Sequence, residues 1–288
     1  MKKEYLFAGI SIFMWSTMST MTKLLLASFS NMQITAILSF FAFITLFLIN
    51  LFTGKLKYFK EYSFKDYAAF VFLGLCGIFA YRCLLNAGIE RMQASQAFII
   101  NYLWPVMIVL FAVIFLKEKM TVRKGLALLL SFGGVFLVAG NDLANFNEHT
   151  LVGALCCVLA AVAYGLFSVL NKKKNGEPSF CMMIFYFASF AVSTVILIVT
   201  KDSFTVTFPQ TLGLLWGGVC VEAIAYTCWA LALKYGDTAK ISNLAYITPC
   251  LALVWSFFIL KEPFSLSSIG GLALILLGVV IQLKKKKS

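Results

Sequence analysis

Residues 101–105 read Asn-Tyr-Leu-Trp-Pro, and residues 245–249 read Ala-Tyr-Ile-Thr-Pro, 144 positions further along the chain. Both stretches lie inside long apolar runs, and both runs close with the tripeptide Leu-Lys-Glu. A repeat of this kind indicates two homologous units within one chain. We therefore predict two halves with a common plan, residues 1–144 and residues 145–288.

The composition indicates a protein that lies in a membrane. Hydrophobic residues make up 61% of the 288 residues and charged residues 12%, whereas a soluble domain is about half apolar and a quarter charged. The chain has a single histidine, and none of its eight cysteines forms a Cys-x-x-Cys pair. These features predict neither a metal centre nor a cofactor, and no enzyme or nucleotide-binding motif is present.

The sequence contains ten runs long enough to span a bilayer, since a spanning helix needs about 20 mostly apolar residues. The first run is too long and too polar for a signal peptide, so we expect it to be retained. The predicted fold is an all-α membrane protein with ten transmembrane helices. The runs are Tyr5–Ser28, Met32–Phe52, Tyr67–Ala87, Ala94–Leu116, Val122–Gly140, Thr150–Leu170, Phe180–Thr200, Thr211–Leu233, Ala239–Leu260 and Leu266–Leu283.

The distribution of basic residues predicts the orientation. With the N-terminus in the cytoplasm, 19 of the 24 lysines and arginines fall in cytoplasmic segments, and only Arg91, Lys201 and Lys261 fall in outer loops. Because cytoplasmic loops carry the excess of positive charge, we predict that both termini face the cytoplasm and that the protein lies in the cytoplasmic membrane. This placement explains the net charge of +12 without a nucleic-acid partner.

The odd number of runs in each half has a topological consequence. Five spans per half place the second half upside down relative to the first. Inverted repeats are typical of carriers with a substrate site near the midplane and alternating access. Channels also contain inverted repeats, so the pattern favours a carrier without excluding a channel.

Two charges inside the runs are the first candidates for the site. Glu222 lies about ten residues, or roughly 15 Å, into its run, and Tyr226 and Trp229 follow on the same helix face. Arg82, in the third run, is able to reach Glu222. Charges inside a membrane are costly and are usually paired or functional. Both interpretations stay open here: the pair neutralises two buried charges, or it contacts the substrate.

The prolines of the two repeated stretches are candidate hinges. Pro105 is expected to free the carbonyl of Asn101 and to kink its helix, and Pro249 is expected to do the same to Ala245. A simple packing kink is the alternative interpretation.

Other residues of the runs carry weaker signals. Trp15 and Tyr164 place aromatic surface at the middle of the first and sixth runs, although packing alone explains many such residues. Glu118 and Glu262 close the fourth and ninth runs and are predicted to anchor helix ends.

The motifs of this chain resemble a known group of transporters. Met-Trp-Ser-Thr-Met at residues 14–18, the stretch at 101–105 and Tyr-Ile-Thr-Pro at 246–249 are similar to the bacterial aromatic amino acid exporter branch of the drug/metabolite transporter superfamily, EamA type. The resemblance covers the whole chain. It implies a passive or exchange carrier of aromatic amino acids, and some members also act on aromatic cations.

The resemblance also implies a central cavity lined by helices one, three, four, six, eight and nine. Arg82 and Glu222 depart from the pattern of the exporter branch. Carried onto this chain, the implied lining is Trp15, Tyr81, Asn101, Trp104, Tyr164, Tyr226 and Tyr246.

We therefore expect a secondary transporter that exports small amphipathic metabolites, aromatic or other amino acids, by alternating access. The substrate-binding residues are expected to be the seven lining residues with Arg82 and Glu222, and the hinges Pro105 and Pro249. The expected partners are a small-molecule substrate and the lipid bilayer, and a monomer is expected.

Three alternatives remain. One is proton-coupled export of cationic aromatic drugs, with Glu222 as the proton and cation site. The other two belong to different classes, a membrane scaffold and an intramembrane enzyme acting on lipids. The enzyme needs acids or histidines clustered at one membrane surface, and the sequence contains no such cluster.

Overall fold

The computed structural model describes residues 2–26, 28–91, 97, 100–138, 148–202, 205–260 and 266–283, and within these ranges it is helical with no β-strand. The helices are α1 (Lys3–Ser16), α2 (Met18–Leu26), α3 (Asn31–Phe52), α4 (Tyr58–Glu61), α5 (Phe64–Arg91), α6 (Trp104–Leu116), α7 (Val122–Val138), α8 (Glu148–Lys174), α9 (Pro178–Thr200), α10 (Phe208–Tyr235), α11 (Thr238–Leu244), α12 (Ile247–Trp255) and α13 (Leu266–Leu283).

Six helical segments within the described ranges are long and apolar enough to cross a membrane, if α11 and α12 are counted as one rod. A shorter apolar helix is α6. The ten-span count and the orientation stay predictions. The six segments are Asn31–Phe52, Phe64–Arg91, Thr150–Lys174, Pro178–Thr200, Phe208–Tyr235 and Thr238–Ile259.

The first predicted run is not one continuous helix. The structure divides it at Thr17, between α1 and α2. The Thr17 hydroxyl donates a hydrogen bond to the carbonyl of Met14 at 2.7 Å. Such bonds from threonine to the preceding turn bend helices, so a polar residue inside an apolar run produces a break that hydropathy alone does not predict.

Polar side chains fix where several helices begin. At the start of α3, the Ser30 hydroxyl accepts from the N–H of Gln33 at 3.2 Å, and Gln33 Oε1 accepts from the N–H of Ser30 at 2.9 Å. This capping box satisfies backbone donors that a helix start leaves free. Asp237 likewise accepts from the N–H of Lys240 at 3.0 Å and caps α11.

The packing of the helices repeats when the two halves are exchanged. Helix α8, the first of the second half, packs against α5 and α6, and its counterpart α1 packs against α10 and α12. Helix α3 packs on its own counterpart α9, and α7 packs on its counterpart α13. Because each of these contacts is repeated with the two halves interchanged, a twofold axis relates the two similar units.

Helices α7 and α13 run antiparallel across this axis. Arg123 Nε donates to the carbonyl of Ile281 at 2.6 Å, and Ser131 Oγ donates to the carbonyl of Ile275 at 3.5 Å. Residue numbers therefore rise along one helix as they fall along the other. Helices that hold the same place in the two halves thus point in opposite directions.

Two glycines let these helices approach closely. A Cβ added at Gly134 would lie 2.6 Å from the carbonyl oxygen of Gly271, and a Cβ added at Gly278 would lie 2.7 Å from that of Ala127. Gly278 and Gly271 are the positions 144 residues beyond Gly134 and Ala127. The same contact is therefore made twice, once in each direction.

Helices α3 and α9 form a second antiparallel pair between counterparts. Ser39 and Ser189 share a buried hydrogen bond of 3.0 Å. Asn50, near the end of α3, donates to the carbonyl of Ser179 near the start of α9 at 3.1 Å. Small polar residues of this kind hold spanning helices together.

Candidate functional site

Six aromatic rings from different parts of the chain meet at the centre of the bundle. We call them the central ring cluster, and their neighbouring centroids lie 5.0 to 5.8 Å apart. Five of the six side chains are buried, and Trp15 is half-buried. A pair of rings at such distances contributes about 0.5–1.5 kcal/mol beyond area burial. The cluster comprises Trp15, Tyr81, Trp104, Tyr164, Tyr226 and Trp229.

An ion pair lies beside the central ring cluster. The Arg82 guanidinium contacts the Oε1 atom of Glu222, so the pair that the sequence allowed is present. The hydroxyl of Tyr186 donates to Glu222 Oε2 at 2.7 Å. Only 1% of the Glu222 side chain is exposed. Both oxygens of this buried carboxylate therefore have a hydrogen-bond donor, as a buried charge requires.

Wide helical turns bring the two charges together. Helix α5 contains a π-helical segment, Leu75–Ala80, immediately before Tyr81 and Arg82. Helix α10 contains a related segment, Trp216–Ala225, which includes Glu222. A π-turn re-aims the side chains that follow it and is frequent at functional sites.

One contact connects the ion pair to the rings, and a second contact adds the amide of Asn101 to the rings. The ring of Tyr186 lies 6.2 Å from that of Tyr226, at an interplanar angle of 89°. On the other side, Asn101 Nδ2 donates to the hydroxyl of Tyr81 at 3.1 Å. The Oδ1 atom of Asn101 is buried and has no hydrogen-bond partner in the described part of the chain. The arrangement therefore offers aromatic faces, two opposite charges and an unpaired acceptor at one place.

Pro105 and Pro249 occupy a different position in their helices from the one expected. Each follows a two-residue turn, at residues 102–103 and 245–246, and each lies in the first turn of the next helix. Proline is well tolerated there because no N–H is needed. The carbonyl of Ala245 accepts from the N–H of Thr248 at 2.9 Å, so the expectation that Pro249 leaves this carbonyl free is wrong. The hinge role stays a prediction.

Tyr246 lies apart from the central ring cluster. Its hydroxyl donates to the carbonyl of Tyr102 at 3.1 Å, and its ring packs with that of Tyr102 at 6.4 Å. It belongs to a smaller apolar cluster with Val109 and Ile275. Of the predicted site residues, Trp15, Tyr81, Arg82, Asn101, Trp104, Tyr164, Glu222 and Tyr226 are brought together by the structure, and Tyr246 is not.

The structure adds Tyr186 to the site, and it shows a buried polar residue elsewhere, Asn243, that the sequence interpretation did not single out. Tyr186 is one tyrosine in a phenylalanine-rich run, and nothing in its spacing pointed to Glu222. Asn243 is 1% exposed, and both polar atoms of its amide lack a partner among the described residues. A polar residue inside a spanning run is a functional signal, so Asn243 was open to prediction.

A network of polar side chains ties the ends of three helices together. Lys172 Nζ contacts Glu118 Oε1 at 3.0 Å and Thr238 Oγ1 at 2.7 Å. Thr238 also donates to Glu118 at 2.5 Å. These residues lie at the ends of α6 and α8 and at the start of α11, on the side predicted to be cytoplasmic. Glu118 thus anchors helix ends through side chains, and its counterpart Glu262 lies outside the described residues.

The sequence profile of the EamA-like transporter family matches residues 2–140 and 151–283. The chain belongs to the EamA-like transporter family. It is therefore a transporter and not an enzyme, and a protein that passes through the membrane several times. The matched ranges include Arg82, Glu222 and the whole central ring cluster.

Relatives of this EamA-like transporter share low identity over most of its length. It is 25% identical to an uncharacterised transporter of Clostridium kluyveri, over 100% of this chain and 95% of that protein. It is 24% identical to the aromatic amino acid exporter YddG of Ancylobacter novellus, over 62% of this chain and 63% of that protein. A solved structure titled "Crystal structure of protein" superposes with a TM-score of 0.86 at 20% identity, covering 97% of this chain and 96% of the other, which shows a shared fold.

Proposed function

We propose that this protein is a secondary carrier that exports aromatic amino acids by alternating access. The observation that carries the proposal is the buried Arg82–Glu222 pair beside the central ring cluster. An aromatic amino acid is the small molecule that combines a carboxylate, an ammonium group and a ring. The similarity to an aromatic amino acid exporter supports the same substrate class.

The architecture that we propose has ten spans in two inverted halves, residues 1–144 and 145–288, with both termini in the cytoplasm. The antiparallel contact of α7 with its counterpart α13 supports inversion. The excess of lysine in the segments assigned to the cytoplasm supports the orientation. A substrate at the twofold axis would then meet residues from both halves, Arg82 from the first and Glu222 from the second.

The internal ion pair explains how such a carrier would bind a zwitterion. The substrate carboxylate would take the place of Glu222 beside Arg82, and its ammonium group would take the place of Arg82 beside Glu222. Each buried charge would keep a partner throughout, so the exchange avoids an unpaired charge in the membrane. The substrate ring would pack against rings of the cluster, and this contact would replace an existing ring–ring contact of similar strength.

Export of cationic aromatic drugs is the second candidate. It requires Glu222 to attract a cation, but Arg82 already neutralises this carboxylate in the structure. A cation would have to displace a guanidinium and leave it buried without a partner, which is costly. The zwitterion therefore fits the site better than the cation.

A transport experiment separates the two candidates. Proteoliposomes loaded with unlabelled phenylalanine would exchange it for radiolabelled phenylalanine, with competitors added outside. Phenylalanine and tryptophan should compete well. Phenethylamine lacks the carboxylate and phenylpropionate lacks the ammonium group, so each should compete at least about tenfold less, because a lost charge-assisted hydrogen bond costs about 1.5–3 kcal/mol. Alanine lacks the ring and should also compete at least about tenfold less, because burial of an aromatic side chain contributes about 1.5–3 kcal/mol.

Variants of the pair supply the second arm. Arg82→Gln and Glu222→Gln should abolish exchange, whereas Glu61→Gln, at an exposed position, should leave it unchanged. Full exchange in both site variants would remove the pair from the substrate path. Stronger competition by methyl viologen than by phenylalanine, lost only in Glu222→Gln, would favour the cation carrier.

A further inference from the structure

A groove on the surface of the bundle lies between α3 and α9, away from the central ring cluster. Its volume is about 490 Å³, and its lining residues lie in the first half of α3 and in, or directly after, the second half of α9. The lining is apolar along its length and charged at one end. It is formed by Ala36, Ile37, Phe40, Phe190, Thr194, Leu197, Ile198, Lys201 and Asp202.

The length of the groove matches one leaflet of a bilayer. From Phe190 to Lys201 the helix rises by about 16 Å at 1.5 Å per residue, and the hydrocarbon core of a bilayer is about 30 Å thick. Phe40 and Ile198 on its walls are exposed. The groove therefore has the depth and the apolar walls that suit a single acyl chain.

The charged end presents a cation and an anion side by side. Lys201 is exposed, and no ion pair involves it within the described ranges. Asp202 is held in place by Ser30 Oγ at 2.9 Å and Gln33 Nε2 at 2.6 Å. A carboxylate has about four acceptor positions, so Asp202 retains capacity for a further donor.

We propose that this groove binds a glycerophospholipid with an ethanolamine headgroup. The phosphate contacts Lys201, the ammonium group donates to Asp202, and one acyl chain lies in the groove. A choline headgroup has no N–H to donate to Asp202. A glycerol headgroup offers Asp202 no cationic donor, so it matches only one of the two charges at this end of the groove. The proposal does not depend on what the carrier transports.

Native mass spectrometry of the purified protein tests the site. The protein would be mixed with phosphatidylethanolamine, phosphatidylcholine or phosphatidylglycerol bearing identical acyl chains. Ethanolamine lipid should be retained about fivefold more than either of the others, because only its ammonium group donates a hydrogen bond to Asp202, and a factor of five corresponds to about 1 kcal/mol, the net contribution of one hydrogen bond. Equal retention of the three lipids, or stronger retention of the glycerol lipid, would overturn the proposal.

Substitutions at Lys201 and Ala36 locate the lipid. Lys201→Gln should lower ethanolamine-lipid retention about fivefold, and Lys201→Arg should preserve it. Ala36→Trp should block the groove itself. Lys119→Gln, an exposed lysine outside the groove, is the matched control. Thermal unfolding of each variant shows that it is folded, and unchanged retention in both Lys201→Gln and Ala36→Trp would show that the lipid binds elsewhere.

Discussion

At the scale of single residues, the Arg82–Glu222 pair is the feature whose loss should change the free energy of unfolding most. A lone charge at the middle of a spanning helix costs about 2.5–3.5 kcal/mol on insertion scales. In the structure Arg82 and Glu222 pair with each other, and Glu222 also accepts a hydrogen bond from the hydroxyl of Tyr186. Stability alone does not require charged residues at these positions, because well-packed apolar replacements are often as stable as a buried ion pair.

Single and double substitutions of the pair separate a structural role from a functional one. Arg82→Met or Glu222→Leu alone should lower the free energy of unfolding by about 3–5 kcal/mol, since each leaves an unpaired buried charge. The double variant should recover most of that stability. Phenylalanine exchange should be absent in all three. Exchange restored by the double variant would show that the pair has no contact with substrate. Unfolding in detergent and proteoliposome exchange provide the two measurements.

Glu177 gives a prediction about pH. Burial favours the neutral acid, but the ion pair with Lys55 at 2.6 Å and the hydrogen bonds from Phe180 N–H and Ser179 Oγ hold the pKa of Glu177 below its ordinary value near 4.5. A lowered pKa stabilises the folded state at neutral pH, and that contribution is lost as pH falls below about 4.5. The melting temperature should therefore drop more between pH 7 and pH 4 in the wild type than in Glu177→Gln. Equal drops in the melting temperatures of the wild type and of Glu177→Gln would contradict this prediction.

The sequence pointed to most of the residues that the structure brings together in the candidate site, but not to all of them. Arg82 and Glu222 stood out because charges are rare inside apolar runs. Tyr186 did not, since a tyrosine among phenylalanines has no distinguishing pattern. Tyr246 was expected in the site from the resemblance, yet it bonds to Tyr102 in a separate cluster. Which face of a helix meets the centre depends on tertiary packing and on π-turns, neither of which periodicity describes.

At the scale of helices, the broken segments and the polar tie at their ends matter most. A two-residue turn interrupts both the fourth run and the ninth run. The helix that follows each turn carries the proline in its first turn. Apolar length predicted where these helices lie, but not that each proline starts a helix instead of kinking one. Close to the ninth-run break, α11 begins at Thr238, which bonds to Glu118 and Lys172.

This tie should stabilise the packing of the helix ends on the side predicted to be cytoplasmic. Glu118→Lys should impair exchange and lower the melting temperature, because it places two cations together. Glu118→Lys combined with Lys172→Glu should restore part of both, with a coupling of about 1 kcal/mol. Glu61→Lys, at an exposed site, is the control for added charge. Additive effects of the two single changes in thermal unfolding would show that the tie is energetically unimportant.

At the scale of the whole molecule, the twofold relation organises everything else. The repeat spacing of 144 predicted two similar halves from the sequence alone. It did not predict which helices of one half contact the other, because that depends on side-chain shape at the axis. Gly134 and Gly278 are examples of contacts that the sequence did not predict, since each provides room for the backbone of a helix in the opposite half.

Substitution of these glycines tests the close packing of helices at the twofold axis. Gly134→Ala and Gly278→Ala should each lower the free energy of unfolding by about 1–3 kcal/mol through overpacking. Gly133→Ala and Gly270→Ala, where a Cβ would meet nothing within 4 Å, should be neutral or slightly stabilising because alanine favours helix. Chemical unfolding in detergent distinguishes the pairs, and equal effects at all four positions would contradict close packing at the axis.

Inversion itself is most directly tested by the sidedness of equivalent loops. Glu61 and Thr205 are both exposed and are separated by the repeat spacing of 144. Single cysteines would be placed at each position in a background without the native cysteines, and intact cells would be treated with a membrane-impermeant maleimide. Inverted halves predict that Thr205→Cys is labelled from outside and that Glu61→Cys is labelled only after the cells are opened. Labelling of both cysteines from the same side would contradict inversion.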